Sequence, residues 1–88
     1  MEERLKVLIV DDEPIARKFL RVCIDWEAAG FTISAEAGGG AEALDLMEVD
    51  TPDIVFADIQ MPFMDGLTFS RIVAKQYPQV KIVILTAH

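Results

Sequence analysis

One cysteine, Cys23, and one histidine, His88, are all that 88 residues offer of thiol and imidazole. A disulfide within the chain and a cysteine-based zinc site are therefore both excluded, and a buried helical thiol is the expected state of Cys23. Basic residues are scarce too. Eight Lys and Arg stand against 15 Asp and Glu, a net charge of −7, so the segment lacks the basic patch that direct nucleic-acid binding needs. No apolar run approaches the ~18 residues of a membrane span. The start Met1-Glu2-Glu3-Arg4 lacks the basic-then-apolar pattern of a signal peptide, and the expectation is a cytoplasmic protein without membrane contact. Neither an internal repeat nor a low-complexity linker interrupts the chain.

What remains is enough for one small packed domain. Apolar residues make up 52% and charged residues 26% of the chain, which argues for a core and against disorder. The runs Leu5-Lys6-Val7-Leu8-Ile9-Val10, Ile54-Val55-Phe56-Ala57 and Val80-Lys81-Ile82-Val83-Ile84-Leu85 are apolar in both directions, as strands covered on two faces are. Phe31-Thr32-Ile33-Ser34-Ala35-Glu36 alternates instead, as a half-exposed edge strand does.

Three helices fall between the strands. The first starts at Pro14, with Asp12 or Glu13 ahead of it as cap, and runs to about Asp25. Arg17, Lys18, Arg21 and Asp25 form its polar face. Its apolar band of Ile15, Ala16, Phe19, Leu20, Val22 and Cys23 is too wide for one partner surface, and predicts contact with both a sheet and another helix. The second spans about Ala41 to Val49, and the third follows Gly66 and ends before Pro78. The order βαβαβαβ predicts an α/β fold, a doubly wound parallel sheet with right-handed crossovers. With the second strand at an edge beside the first, the first helix lies on one face and the other two on the opposite face. That helix is then alone, and the last strand, patterned for an interior position, has an uncovered edge. The sequence reads as cut off after His88, short of at least one more strand and its helices.

Chemistry concentrates at strand ends. Asp11 and Asp12 follow the first strand, Asp58 the third and Thr86 the fourth, all at the edge where open α/β sheets bind ligands. Carboxylates gathered there repel, so they must take up protons or hold a cation. A carboxylate becomes a useful nucleophile toward phosphorus once a divalent cation neutralises the oxygens of the incoming group, and magnesium suits such a site. Thr86 is placed to donate its hydroxyl to a phosphoryl group.

The segments Val7-Leu8-Ile9-Val10-Asp11-Asp12-Glu13-Pro14, Pro52 to Gly66 and Val83-Ile84-Leu85-Thr86-Ala87 resemble the receiver domain of two-component response regulators. The resemblance covers essentially residues 1–88. It implies a flavodoxin-like sheet of order 2-1-3-4-5, an order the general description of doubly wound folds gives for a receiver protein. It implies that Asp58 accepts a phosphoryl group from a sensor histidine kinase. Asp12, Asp58 and the main-chain carbonyl of Gln60 would bind Mg2+, with Asp11 assisting through water. Thr86 would be the switch hydroxyl, with small Ala87 leaving room beside it, and Pro62 and Gly66 would shape the loop after the acceptor. No catalytic turnover is expected beyond the domain's own phosphotransfer.

By the same resemblance, helix 4, strand 5 with its lysine and switch aromatic, and helix 5 would lie beyond His88. Self-association of the segment is expected from the apolar surfaces they would otherwise cover. Ile24-Asp25-Trp26-Glu27 before Gly30-Phe31 resembles the same connection in receivers fused to AraC-type helix-turn-helix output domains, which would make the parent a transcription regulator. Trp26 itself reads as a packing anchor.

Three rivals share parts of the pattern. A phosphohydrolase of the haloacid dehalogenase type needs a second aspartate two residues after its nucleophile, where this chain has Gln60. A flavin module would need amides and hydroxyls where Asp11-Asp12-Glu13 stands. A receiver-like scaffold that binds partners without phosphorylation is the third; the acceptor and metal residues argue against it for the parent protein, while for the short chain itself it stays the alternative reading. Gly38-Gly39-Gly40 lacks the Lys-Ser/Thr of a phosphate loop and reads as a flexible turn.

Overall fold

Val7, Leu8, Ile9 and Val10 are each at most 1% exposed, so both faces of the strand they form are covered, as their unbroken apolar run requires. The computed structural model describes residues 4–85. Its elements are β1 (Leu5–Val10), α1 (Pro14–Cys23), β2 (Phe31–Ala37), α2 (Gly40–Val49), β3 (Ile54–Asp58), α3 (Gly66–Gln76) and β4 (Lys81–Leu85). All strand pairs are parallel, in the order β2-β1-β3-β4, the doubly wound arrangement expected from the element order. No helix among the described residues is long and apolar enough to cross a membrane.

The two faces are unequal. On one, Leu8, Val10, Val55 and Ala57 meet Ala43 and Met47 of α2 and Phe69 and Val73 of α3, all essentially inaccessible. Each such large side chain contributes about 1.5–3 kcal/mol. On the other face, Val7 and Ile9 meet Trp26, with Leu20 of α1, Phe31, Ile33, Ile54 and Phe56 packed around them. Trp26 is the anchor its type suggests. Its ring stands edge-on to Phe31 and Phe56, at 6.2 and 5.3 Å, and its Nε1 donates to the Leu20 carbonyl at 3.2 Å.

The first helix differs from expectation in three ways. It ends at Cys23 rather than near Asp25, because the chain must turn to bring Trp26 under Leu20. A tight turn follows, in which Phe31 N donates to the Trp26 carbonyl at 2.8 Å. Cys23 is exposed rather than buried. The apolar band is only partly used: Leu20 packs on the sheet, while Ile15, Phe19 and Val22 are 82, 64 and 72% exposed. Among the described residues no helix meets that outer face.

Strand β2 carries an irregularity that its alternating sequence hides. Pairing runs Val7↔Ile33 and then Leu8↔Ala35, so Ser34 is an extra residue in the register. The slip changes faces. Phe31 and Ile33 pack with Val7 on the α1 side, whereas Ala35 and Ala37 pack with Leu8 and Val10 on the α2–α3 side. Glu36, paired with Ile9, is thereby turned toward α1, where Arg17 and Arg21 meet it at 3.3 and 3.1 Å. At the other edge of the sheet, β4 leaves Val83 exposed.

Candidate functional site

The acidic residues converge because their strands end together. Asp11 follows β1 directly, and its amide continues the pairing with β2 by donating to the Ala37 carbonyl at 3.0 Å. Its Oδ1 accepts from the Glu13 amide at 3.0 Å. That corrects the expected cap: Glu13 occupies the N-cap position of α1 without a side-chain capping bond, Asp12 makes none either, and Asp11 takes the free amide ahead of Pro14. Asp12 is exposed. Asp58 is the last residue of β3, buried, with Oδ1 accepting from the Gln60 amide at 3.2 Å.

One carboxylate oxygen from each of Asp11, Asp12 and Asp58 lies within 4.8 Å of the others. Two unit charges at that spacing repel by about 3 kcal/mol at an effective dielectric near 20. Among the described residues, the Lys and Arg ion pairs go to Asp50 and Glu36, and none reaches this trio. Burial pushes the Asp11 carboxyl up from its ordinary value, and the charges of Asp58, Asp12 and Glu13 add to the rise against the lowering by the Glu13 amide. Three hard oxygen donors, close together and without a protein counter-ion, fit a small divalent cation that keeps water in its remaining positions.

The loop after Asp58 packs tightly against it. A Cβ on Gly66 would come 2.6 Å from the Asp58 carbonyl oxygen and 2.8 Å from Ile59 Cα, so the start of α3 sits against the end of β3 only because residue 66 has no side chain. Asp65 caps α3: its carboxylate accepts from the Thr68 amide at 2.7 Å, a bond that holds its pKa below the ordinary value. Met61 and Met64 pack inward, Met64 over Gly40. Phe63 does the opposite. It is fully exposed, with φ 69°, at the centre of a three-residue turn in which Met64 N donates to the Pro62 carbonyl at 2.7 Å.

Of the residues singled out from sequence, Asp11, Asp12 and Asp58 come together. Gln60 is beside them through its amide, with an exposed side chain. Thr86 lies outside the described residues. Arg17, assigned to the solvent face of α1, is instead half-buried: its Nη1 donates to the Asp11 carbonyl and its Nε to Glu36. Its place in the first turn of α1, six residues after Asp11, was the only signal available.

A parallel doubly wound sheet with an acidic trio at the C-terminal ends of its two central strands defines an α/β domain that works at its strand ends. Residues 7–88 match the model of the response regulator receiver domain, and the chain belongs to that family. It is similar to the receiver domain of AraT, a response regulator from Geobacillus stearothermophilus, at 40% identity and TM-score 0.85, over 93% of this chain and 64% of that one. A two-component transcriptional regulator, AraC, from Clostridium phytofermentans superposes with TM-score 0.89 at 31% identity, over 96% of this chain and 65% of that one. The protein-glutamate methylesterase/protein-glutamine glutaminase 3 of Hahella chejuensis is 45% identical over 83 residues, which are 94% of this chain and 23% of that protein. The chain thus spans about a quarter of that curated relative. As a family member it is a phosphoacceptor domain rather than a turnover enzyme.

Proposed function

We propose that Asp58 is the phosphoacceptor and that its donor is the phosphohistidine of a sensor kinase. A carboxylate oxygen of Asp58 forms the new bond to phosphorus as the bond to the imidazole nitrogen breaks, and the electron pair stays on the ring. Asp12, Asp58 and the Gln60 main-chain carbonyl are the proposed holders of Mg2+, with Asp11 assisting through water. The cation supplies neutralisation of the phosphoryl oxygens. The Gln60 amide bond to Asp58 leaves the other carboxylate oxygen available for attack. Thr86 is the proposed switch hydroxyl that turns to the phosphoryl group, with Ala87 leaving room for it.

The observation that supports this most is the meeting of three carboxylate oxygens within 4.8 Å at the end of the strand that carries Asp58. The test is phosphorylation by acetyl phosphate with Mg2+, followed by intact-mass measurement. Wild type should gain one phosphoryl group, Asp58→Asn none, and Asp12→Ala much less. Labelling of Asp58→Asn equal to wild type would reject the assignment.

Two readings of the larger assembly go with it. The exposed Ile15, Phe19 and Val22 of α1 and the edge of β4, unpaired among the described residues, support completion of the domain by a further strand and two helices, the helix 4, strand 5 and helix 5 of the family fold. Where these are missing, self-association of residues 1–88 follows, and light scattering of a strict monomer at high concentration would refute it. The likeness to the Clostridium two-component transcriptional regulator supports an output domain that regulates transcription in the parent, although the Hahella relative is named as a protein-glutamate methylesterase/protein-glutamine glutaminase.

A further inference from the structure

We infer that Arg17 is a positioning residue for the cation site, which it serves by holding the Asp11–Asp12 main chain in place; the inference rests on the Mg2+ reading above. The backbone of Asp11 is gripped on both sides. Its amide donates to Ala37 of β2 at 3.0 Å, and its carbonyl accepts from Nη1 of Arg17. That carbonyl belongs to the peptide group joining Asp11 to Asp12, so its direction sets how the two side chains are presented to Asp58.

Arg17 can hold it because its own position is fixed twice. Its amide donates to the Glu13 carbonyl at 3.2 Å, in the first turn of α1. Its Nε donates to Glu36 Oε1 at 3.3 Å, while the other oxygen of Glu36 forms an ion pair with Nε of Arg21 at 3.1 Å. Glu36 faces α1 only because Ser34 is an extra residue in β2. The planar guanidinium fork serves the carbonyl and the carboxylate at once, which an ammonium on a single atom does not do equally well.

The sign of the effect separates positioning from charge. Arg17 carries a positive charge and binds main chain beside two proposed ligands of a dication, so as a charge alone it opposes cation binding and its removal would tighten it. As a positioning residue its removal loosens the donors, and partners that orient metal ligands are typically worth 10-fold or more in affinity.

The experiment is calorimetric titration of MgCl2 into the wild-type protein, Arg17→Ala, Arg17→Lys and Asp12→Ala, with thermal melting in the absence of Mg2+ to establish that each is folded. The expected result is an affinity about ten-fold lower in Arg17→Ala and an intermediate loss in Arg17→Lys, which keeps the charge and loses the fork. Should Arg17→Ala not fold, Arg17→Lys carries the test. Affinity equal to or tighter than wild type in the folded Arg17 variants, with Asp12→Ala weakened, overturns the inference and leaves the metal reading standing. Unchanged affinity in Asp12→Ala overturns the metal reading itself.

Discussion

Gly66 and Asp58 are in backbone contact: the Gly66 amide donates to the Ile59 carbonyl at 2.9 Å, and a Cβ at residue 66 would lie 2.6 Å from the Asp58 carbonyl oxygen. The neighbour is main chain, which cannot swing aside as a flexible side chain would. Gly66→Ala therefore forces β3 and α3 apart, at a cost of about 1–3 kcal/mol as for other overpacked sites. Chemical denaturation should show that loss, and an unchanged midpoint would contradict the close approach.

Phe63 makes the opposite case. Its φ of 69° and full exposure mean that it bears backbone strain of about 1–3 kcal/mol with no packing among the described residues to offset it. Glycine takes that conformation freely but costs about 0.5–1 kcal/mol in chain entropy. Phe63→Gly is expected to raise stability slightly, and a clear loss on thermal melting would refute the strain.

Asp11 governs a pH effect. Burial raises its pKa in the folded state, so the fold binds that proton more tightly than the unfolded chain does. Without cation, its contribution to stability is present at low pH and is lost as pH rises through the raised value. Asp11→Asn keeps an acceptor for the Glu13 amide and removes the charge. It should melt higher than wild type at neutral pH without Mg2+, with the difference closing as pH falls toward the ordinary carboxylate value of about 3.9. Added Mg2+ should stabilise wild type more than the variant. A lower melting temperature for Asp11→Asn at neutral pH without Mg2+ would reject a costly buried charge at residue 11.

Trp26 ties the connection after α1 to the sheet. Trp26→Ala removes two edge-on aromatic contacts and a hydrogen bond, and the expected loss is about 3–5 kcal/mol. Urea titration followed by circular dichroism tests it; a loss under 1 kcal/mol would mean the α1 side holds together by other contacts.

The acidic trio was legible because each strand announces its end: Val10 gives way to Asp11, and Ala57 to Asp58. Parallel order followed from the alternation of strands and helices along the chain. The slip at Ser34 was not legible, since Phe31 to Glu36 alternates without a break and only the pairing with β1 shows the extra residue. Arg17 was misplaced for the same reason. An arginine on a helix next to two acids looks solvated until the strand that offers Glu36 is known to turn it inward. The early end of α1 escaped as well, because Ile24 and Asp25 continue the helical pattern and the need to bury Trp26 is a tertiary matter.

The unequal faces of the sheet set an order of opening. Amides of β1 and β3, closed in by Phe69, Met47 and Val73 on one side, should exchange with solvent only on global unfolding, whereas α1, held to the sheet through Leu20, the turn at Trp26 and the arginine contacts to Glu36 and Asp11, belongs to a separate and weaker cooperative unit. Deuterium would then enter residues 15–23 before those strands, and since Arg17 sits there, each excursion of that helix would also release the carbonyl of Asp11.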